Sequence, residues 1–332
     1  MADLSTSYMG LELRNPIIVS SSDLTKTPEG ILRCYGAGAG AVVLKSIFEE
    51  QFQELEGASE QEYGIYPEAL DYFRSGGLLE YAPQAVCNVI EKMKKELDIP
   101  VIASINCQSP KLWPSFARQF QEAGADGLEL NIYFLPLDLD TPGSKYEETH
   151  VQILKEVKKA VSIPVSVKLM SQITSIPHLG KRLVDGGCNA LVLFNWFVEP
   201  DIDTKSLKTK NIIGRGNFYH SLKWVALLAG RVDCDLASSG GVNHAEDVIK
   251  HILAGASAVQ ACTLFYRKGL KAIQDILKGI EEWMDQHKYA SIDDLKGELS
   301  FKKQERTFKG VNEADAYFRA QYLKAYARPK EE

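Results

Sequence analysis

Residues 122–130 read EAGADGLEL, and the same grammar returns at 36–44 (GAGAGAVVL), 185–193 (DGGCNALVL) and 253–261 (LAGASAVQA). Each copy sets glycine and small residues before a short apolar run. Glycine ends a helix in a left-handed cap, and small residues permit a tight turn into a strand. The copies lead into AVVLKS (41–46), GLELNI (127–132), ALVLFN (190–195) and AVQACT (258–263). Alternating with them are PIIVSS (16–21), PVIASI (100–105), PVSVKL (164–169) and CDLASS (234–239); the second and third of these follow ELDIP and AVSIP, where proline blocks helix continuation. Eight runs too short for helices, most followed by an amphipathic stretch, are repeated βα units. Their nearly continuous apolar character marks parallel strands covered on both faces. The pattern predicts an α/β fold, a (β/α)8 TIM barrel. A doubly wound open sheet is the alternative, disfavoured because no GxGxxG loop follows a strand.

No Pro/Ser/Gly-rich linker divides the chain. The reading is one barrel over residues 1–300 with an insertion at about 47–85, then a charged tail over 301–332 to which no chemistry is assigned. The connections at 47–99 and 196–233 are longer than a barrel needs, and both leave strand C-termini, the face on which barrel enzymes place their sites. The 332 residues carry 38 Lys and Arg against 44 Asp and Glu, a net charge of −6, so no overall positive field collects nucleic acid or anionic membrane. No apolar run has the length of a membrane span, and the start, MADLSTSYMGLELRNP, lacks the order of a signal peptide; a cytoplasmic location is expected. The 6 cysteines form no CxxC pair and read as reduced thiols, and no metal site is expected.

Barrel interiors are packed with apolar side chains, so polar residues at strand C-termini call for a reason. Here they are Ser20, Ser21 and Ser22, Lys45 and Ser46, Asn106, Asn131, Lys168, Asn195 and the SSGG run from Ser238. Two lysines at equivalent strand ends point to an anionic or electron-rich ligand, because a buried ammonium without a partner is costly. After strand 7, Ser239, Gly240 and Gly241 precede a helix opening at Val242–Glu246, and strand 8 ends on Cys262 and Thr263. Exposed glycine N–H groups beside a helix N-terminus form the phosphate cradle of many barrels. A terminal phosphate at one end, and a conjugated ring held by lysines and asparagines at the other, describe flavin mononucleotide (FMN). Lys168 is the candidate to stabilise the charge that two-electron reduction places on the ring's pyrimidine edge.

These residues resemble the class 1 dihydroorotate dehydrogenases, FMN-containing (β/α)8 enzymes of pyrimidine biosynthesis. The likeness runs through Asn15-Pro16, Leu44-Lys45-Ser46, Glu129-Leu130-Asn131, Val167-Lys168-Leu169, Asn195, Ser239-Gly240-Gly241 and Gln260-Ala261-Cys262-Thr263. It continues in Met284–Tyr289 and Leu295–Leu299. The resemblance implies that Ser20, Ser21, Lys45 and Ser46 line the flavin, that Asn131 and Lys168 meet its ring, and that Ser239, Gly240, Gly241, Cys262 and Thr263 belong to its site, the last four holding the phosphate. Asn195 is implied to belong to the flavin site as well, and Asn131 and Asn195 are the implied substrate-binding residues. It also implies a small-molecule substrate and a homodimer, with Tyr219 and Trp224 as candidate surface aromatics.

The chain departs from the family after strand 4. There the family reads Asn-Leu-Ser-Cys-Pro-Asn, with the cysteine, or a serine in other classes, taking a proton from the substrate. This chain reads Asn131-Ile132-Tyr133-Phe134-Leu135-Pro136. Phe134 falls at the base position and cannot accept a proton. The family's Asn-Ser-Met-Gly loop has no counterpart, only Phe73-Arg74-Ser75-Gly76-Gly77. Tyr133, Cys107, Ser109 and His220 are substitute bases to test. Tyr133 also reads as a packed loop aromatic, Cys107 as a small buried hydrophobe and His220 as an exposed loop imidazole. Three functions remain: a flavin oxidoreductase with a different substrate, a non-catalytic FMN-binding protein, or a sugar-phosphate isomerase or synthase, which would use paired carboxylates where lysines and asparagines stand.

Overall fold

The four repeated turns share one hydrogen-bond pattern in the structure, a computed structural model that describes residues 2–49, 83–108, 110–196, 198–213, 217–304 and 319–320. The glycine at the third position of each copy, Gly38, Gly124, Gly187 or Gly255, has φ between 94° and 116°. The residue after it, Ala39, Ala125, Cys188 or Ala256, donates its N–H to the helix carbonyl five residues back, on Cys34, Phe120, Leu183 or His251. That is the Schellman closure, which satisfies carbonyls a helix end would leave bare. One residue later the chain is already in the sheet. The N–H groups of Gly40, Asp126, Asn189 and Ser257 donate to Ile17, Val101, Val165 and Leu236 of the neighbouring strands.

Eight parallel strands follow: β1 (Ile17–Val19), β2 (Ala41–Val43), β3 (Val101–Asn106), β4 (Gly127–Asn131), β5 (Val165–Met170), β6 (Ala190–Asn195), β7 (Asp235–Ser239) and β8 (Ala258–Ala261). They pair in the order β2-β1-β8-β7-β6-β5-β4-β3, and a β3–β2 pairing closes the ring, so the fold is the expected (β/α)8 barrel. A short strand, Ile47–Phe48, pairs with β3 outside the ring. Strands β1, β2 and β8 are shorter than the apolar runs suggested, leaving Ser20, Lys45, Ser46, Cys262 and Thr263 just beyond their ends. The helices of six residues or more among the described residues are α1 (Pro28–Gly36), α2 (Pro83–Glu96), α3 (Leu112–Glu122), α4 (Gly143–Ala160), α5 (Ile176–Asp185), α6 (Phe218–Leu228), α7 (Ala245–Ala254), α8 (Thr263–Lys268) and α9 (Ala272–His287). Most of the 47–85 insertion, including Phe73–Gly77, most of the 301–332 tail and Ser109 lie outside the described residues.

Two features were not foreseen. A hairpin, Thr6–Tyr8 with Leu11–Leu13, brings Tyr8, Met9 and Leu13 into one buried cluster with Ile18, Ala41, Val43, Ile102, Ala190, Val192, Ala237 and Ala258. This cluster is the lower barrel interior, and Asp235 ties the hairpin to it by accepting the Met9 N–H at 2.8 Å. A second hairpin, Val198–Asp203 with Lys208–Ile213, follows β6. His220 is therefore not an exposed loop residue: it lies on α6, with its ring 5.0 Å from Phe194 and 6.4 Å from both Trp196 and Trp224.

Candidate functional site at the barrel mouth

Side chains alternate faces along a strand, so residues two apart from the lower interior cluster share its face higher up. Above Ile18 comes Ser20, above Val43 Lys45, above Ile102 Ser104 and Asn106, and above Ala258 Gln260 and Cys262. On β4 and β5 the polar residues are Glu129, Asn131, Ser166 and Lys168. Ser20, Ser104, Asn106, Glu129, Asn131, Ser166, Lys168 and Gln260 are all buried. The barrel is thus apolar below and polar above.

The polar tier divides into two hydrogen-bonded groups. In the first, the Lys168 ammonium donates to Gln260 Oε1 at 2.9 Å, Ser20 Oγ at 3.2 Å and Glu129 Oε1 at 3.4 Å. Ser20 Oγ donates to Gln260 Oε1 at 3.2 Å, and Gln260 Nε2 donates to Glu129 Oε2. Both lysines have protein partners: Lys168 pairs with Glu129, and the half-exposed Lys45 with Asp23 at 3.2 Å. Burial, and then the Glu129 carboxylate, push the Tyr8 phenol well above its ordinary pKa, so the carboxylate's field reaches the hairpin below.

In the second group the hydroxyls of Ser21 and Ser46 lie 3.0 Å apart, and Ser46 Oγ lies 2.8 Å from Ser104 Oγ. Asn131 Nδ2 donates to Ser46 Oγ at 3.4 Å, and Asn195 Nδ2 donates to Asn131 Oδ1. Asn195 reaches this group through an irregularity: β5 pairs Leu169 with Leu193 but Met170 with Asn195, so Phe194 is skipped. Such a bulge re-aims the next side chain.

At the β7 and β8 ends, Gly240 and Gly241 have φ of 97° and 79°, a conformation open chiefly to glycine. Among the described residues, the N–H groups of Gly240, Gly241 and Thr263 have no backbone acceptor. Ser239 is buried, and its carbonyl accepts the Trp196 indole N–H at 2.9 Å. Burial pushes the Cys262 thiol up, against the pull of a Ser22 hydrogen bond and of the Lys168 and Lys45 charges. At the start of α7 a carboxylate takes two backbone donors. Asp247 Oδ2 already accepts the N–H groups of Asn243 and His244, at 2.8 and 3.1 Å.

The substitute bases fare differently. Cys107 is buried with the outer core between strands and helices, on the face opposite Asn106. Tyr133 is half-buried, and burial raises its phenol above the ordinary value. The Phe134 ring packs edge-on at 5.9 Å against His150, a buried imidazole whose pKa burial lowers. Burial, with the Lys223 charge second, lowers His220 too. Sequence reasoning passed over Ser104 and Trp196 and gave Gln260 no role; the alternation of Ala258, Gln260 and Cys262 was the available signal.

The fold is thus a closed (β/α)8 barrel with a polar mouth at the strand C-termini, the face on which barrel enzymes place their sites. Residues 3–284 match the family described as Dihydroorotate dehydrogenase, and the chain belongs to that oxidoreductase family. It is 30% identical over 310 residues to the dihydroorotate dehydrogenase B (NAD+) catalytic subunit of Pyrococcus horikoshii, covering 89% of this chain and 97% of that one. The same subunit of Thermococcus kodakarensis is 30% identical over 313 residues, with 90% and 98% covered. That of Thermoplasma acidophilum is 28% identical over 308 residues, with 90% and 99% covered. Among the described residues no helix is long and apolar enough to cross a membrane.

Proposed function

We propose that this chain is an FMN-dependent oxidoreductase of the dihydroorotate dehydrogenase type, acting on a small-molecule donor other than dihydroorotate. The observation that carries the reading is the buried donor set around Lys168, with the N–H groups of Gly240, Gly241 and Thr263, which have no backbone acceptor among the described residues, at the neighbouring strand ends. The chemistry of that set fits FMN. An ammonium and two amides suit the carbonyl-rich edge of the ring, and N–H groups on positive-φ glycines suit a phosphate. When bound, FMN would accept a hydride from the donor.

The chain's own residues then have distinct tasks. Ser20, Ser21, Lys45 and Ser46 line the ring, and Lys168 and Asn131 bond it. Gly240, Gly241, Cys262 and Thr263 hold the phosphate beside Ser239. Each of Lys168's N–H donors already has a protein partner, so bonding to a ring atom exchanges one of them. Ser20 Oγ is the natural one to yield, since it keeps its own bond to Gln260. Asn195, held against Asn131, presents its amide to the donor. Phe134 offers no lone pair for a proton and packs on His150 instead.

That apolar residue at the family's base position also favours a second reading, a non-catalytic FMN-binding protein. Anaerobic mixing with dihydroorotate distinguishes the readings from an ordinary family enzyme. The wild type is expected to bleach slowly or not at all, and Phe134→Cys to bleach about 100-fold faster or more, the usual worth of a positioned base. Rapid bleaching of the wild type would overturn the assignment of Phe134. A donor found by screening other dihydropyrimidines would remove the carrier reading.

A further inference from the structure

Among the described residues Lys168 is the only buried lysine, and its carboxylate partner Glu129 is the more deeply buried of the two, 1% exposed against 5%. Both Glu129 oxygens accept hydrogen bonds, Oε1 from the Lys168 ammonium and Oε2 from the Gln260 amide. Both oxygens thus face donors, an ammonium and an amide N–H, which is the setting of an ion pair. Gln260 is fixed by the same logic. Its oxygen faces Lys168 and Ser20, and its nitrogen faces Glu129, so it bridges the two charges. A lone ammonium here would be a net positive charge in a region largely shielded from solvent; with Glu129 beside it the two charges sum to zero.

We infer that Glu129 is a charge-setting residue for the bound flavin: it holds Lys168 as half of a neutral pair, so that the ring meets a positioned hydrogen-bond donor and no net positive charge. The inference rests on the flavin reading of the barrel mouth and deepens it. Two electrons and one proton reduce the flavin and leave one negative charge on the pyrimidine side of the ring. An uncompensated ammonium would stabilise that charge strongly, and a neutral pair does so less. Glu129 therefore acts through Lys168 as a positioning residue and keeps the flavin potential low.

The test compares FMN-loaded wild type, Glu129→Gln and Glu129→Asp by dye-coupled reductive titration. Glu129→Gln keeps the shape and removes the charge, and is expected to favour reduced over oxidised flavin about tenfold more, a rise of about 30 mV for a two-electron couple. Glu129→Asp, which restores the charge, should return toward the wild-type value. A loaded Glu129→Gln protein at the wild-type potential would overturn the inference. Should that variant not fold, sulfite decides on the wild type alone, because its adduct at the flavin is an anion that a nearby net cation stabilises. Weak, millimolar sulfite binding is expected, and micromolar binding would overturn the inference. Wild-type protein that takes up no FMN sinks the flavin reading itself, and this inference with it.

Discussion

On β3, Ile102 faces the barrel axis among alanines, valines and the hairpin's Tyr8, whereas Ser104 and Asn106 face it higher up, in the polar tier above. The same alternation builds both levels. Apolar burial contributes about 25 cal/mol per Å², while a buried polar group costs stability unless it is hydrogen-bonded. The lower interior is therefore what folding alone would select. The upper one carries Glu129, Lys168, Gln260 and three asparagines that folding does not call for, and it is the level on which the proposed flavin site draws.

Paired substitutions test that contrast most strongly. Lys168→Met leaves Glu129 charged and unpaired and is expected to cost about 3–5 kcal/mol in urea denaturation and to weaken FMN binding. Ile102→Ala should cost about 2–5 kcal/mol while leaving the bound flavin's absorption band and potential as they are. A flavin response to Ile102→Ala equal to that of Lys168→Met would erase the distinction between the levels.

The turn grammar gives a smaller effect. At Gly255, φ is +116° and a Cβ would come within 2.3 Å of the Ala229 Cβ, so Gly255→Ala should cost about 2 kcal/mol or more by the same assay. An unaltered midpoint would mean that the left-handed cap is not what joins helix to strand.

The smallest effect concerns pH. Burial lowers His251, at the foot of α7, to about 4. The unfolded chain binds that proton near pH 6.5 and the folded chain does not, so stability falls as the pH drops below about 6.5 toward 4. About 2 kcal/mol should be lost between pH 7 and pH 5, and His251→Gln should flatten the profile over that interval. An equally steep profile in the variant would assign the loss to other groups.

How far the sequence could be read follows from the range of each interaction. The four glycine turns are local, so their caps and the eight strands were legible. The polar strand ends were legible too, since strand position alone places Ser20, Lys168 and Asn131 at the mouth. The Glu129–Lys168 pair was not, because it depends on which residues of β4 and β5 lie side by side. Asn195 enters the site by a bulge that no residue pattern announces. Nor does strand position show that Asp247, three residues past His244, takes the N–H groups of Asn243 and His244 at the start of α7.

Whether the polar mouth seats FMN is read directly by titrating flavin-free protein. One equivalent should bind with Kd below about 10 µM, and Lys168→Met should bind more weakly. Wild-type protein that leaves flavin fluorescence and absorption unchanged at about 100 µM would contradict the FMN assignment.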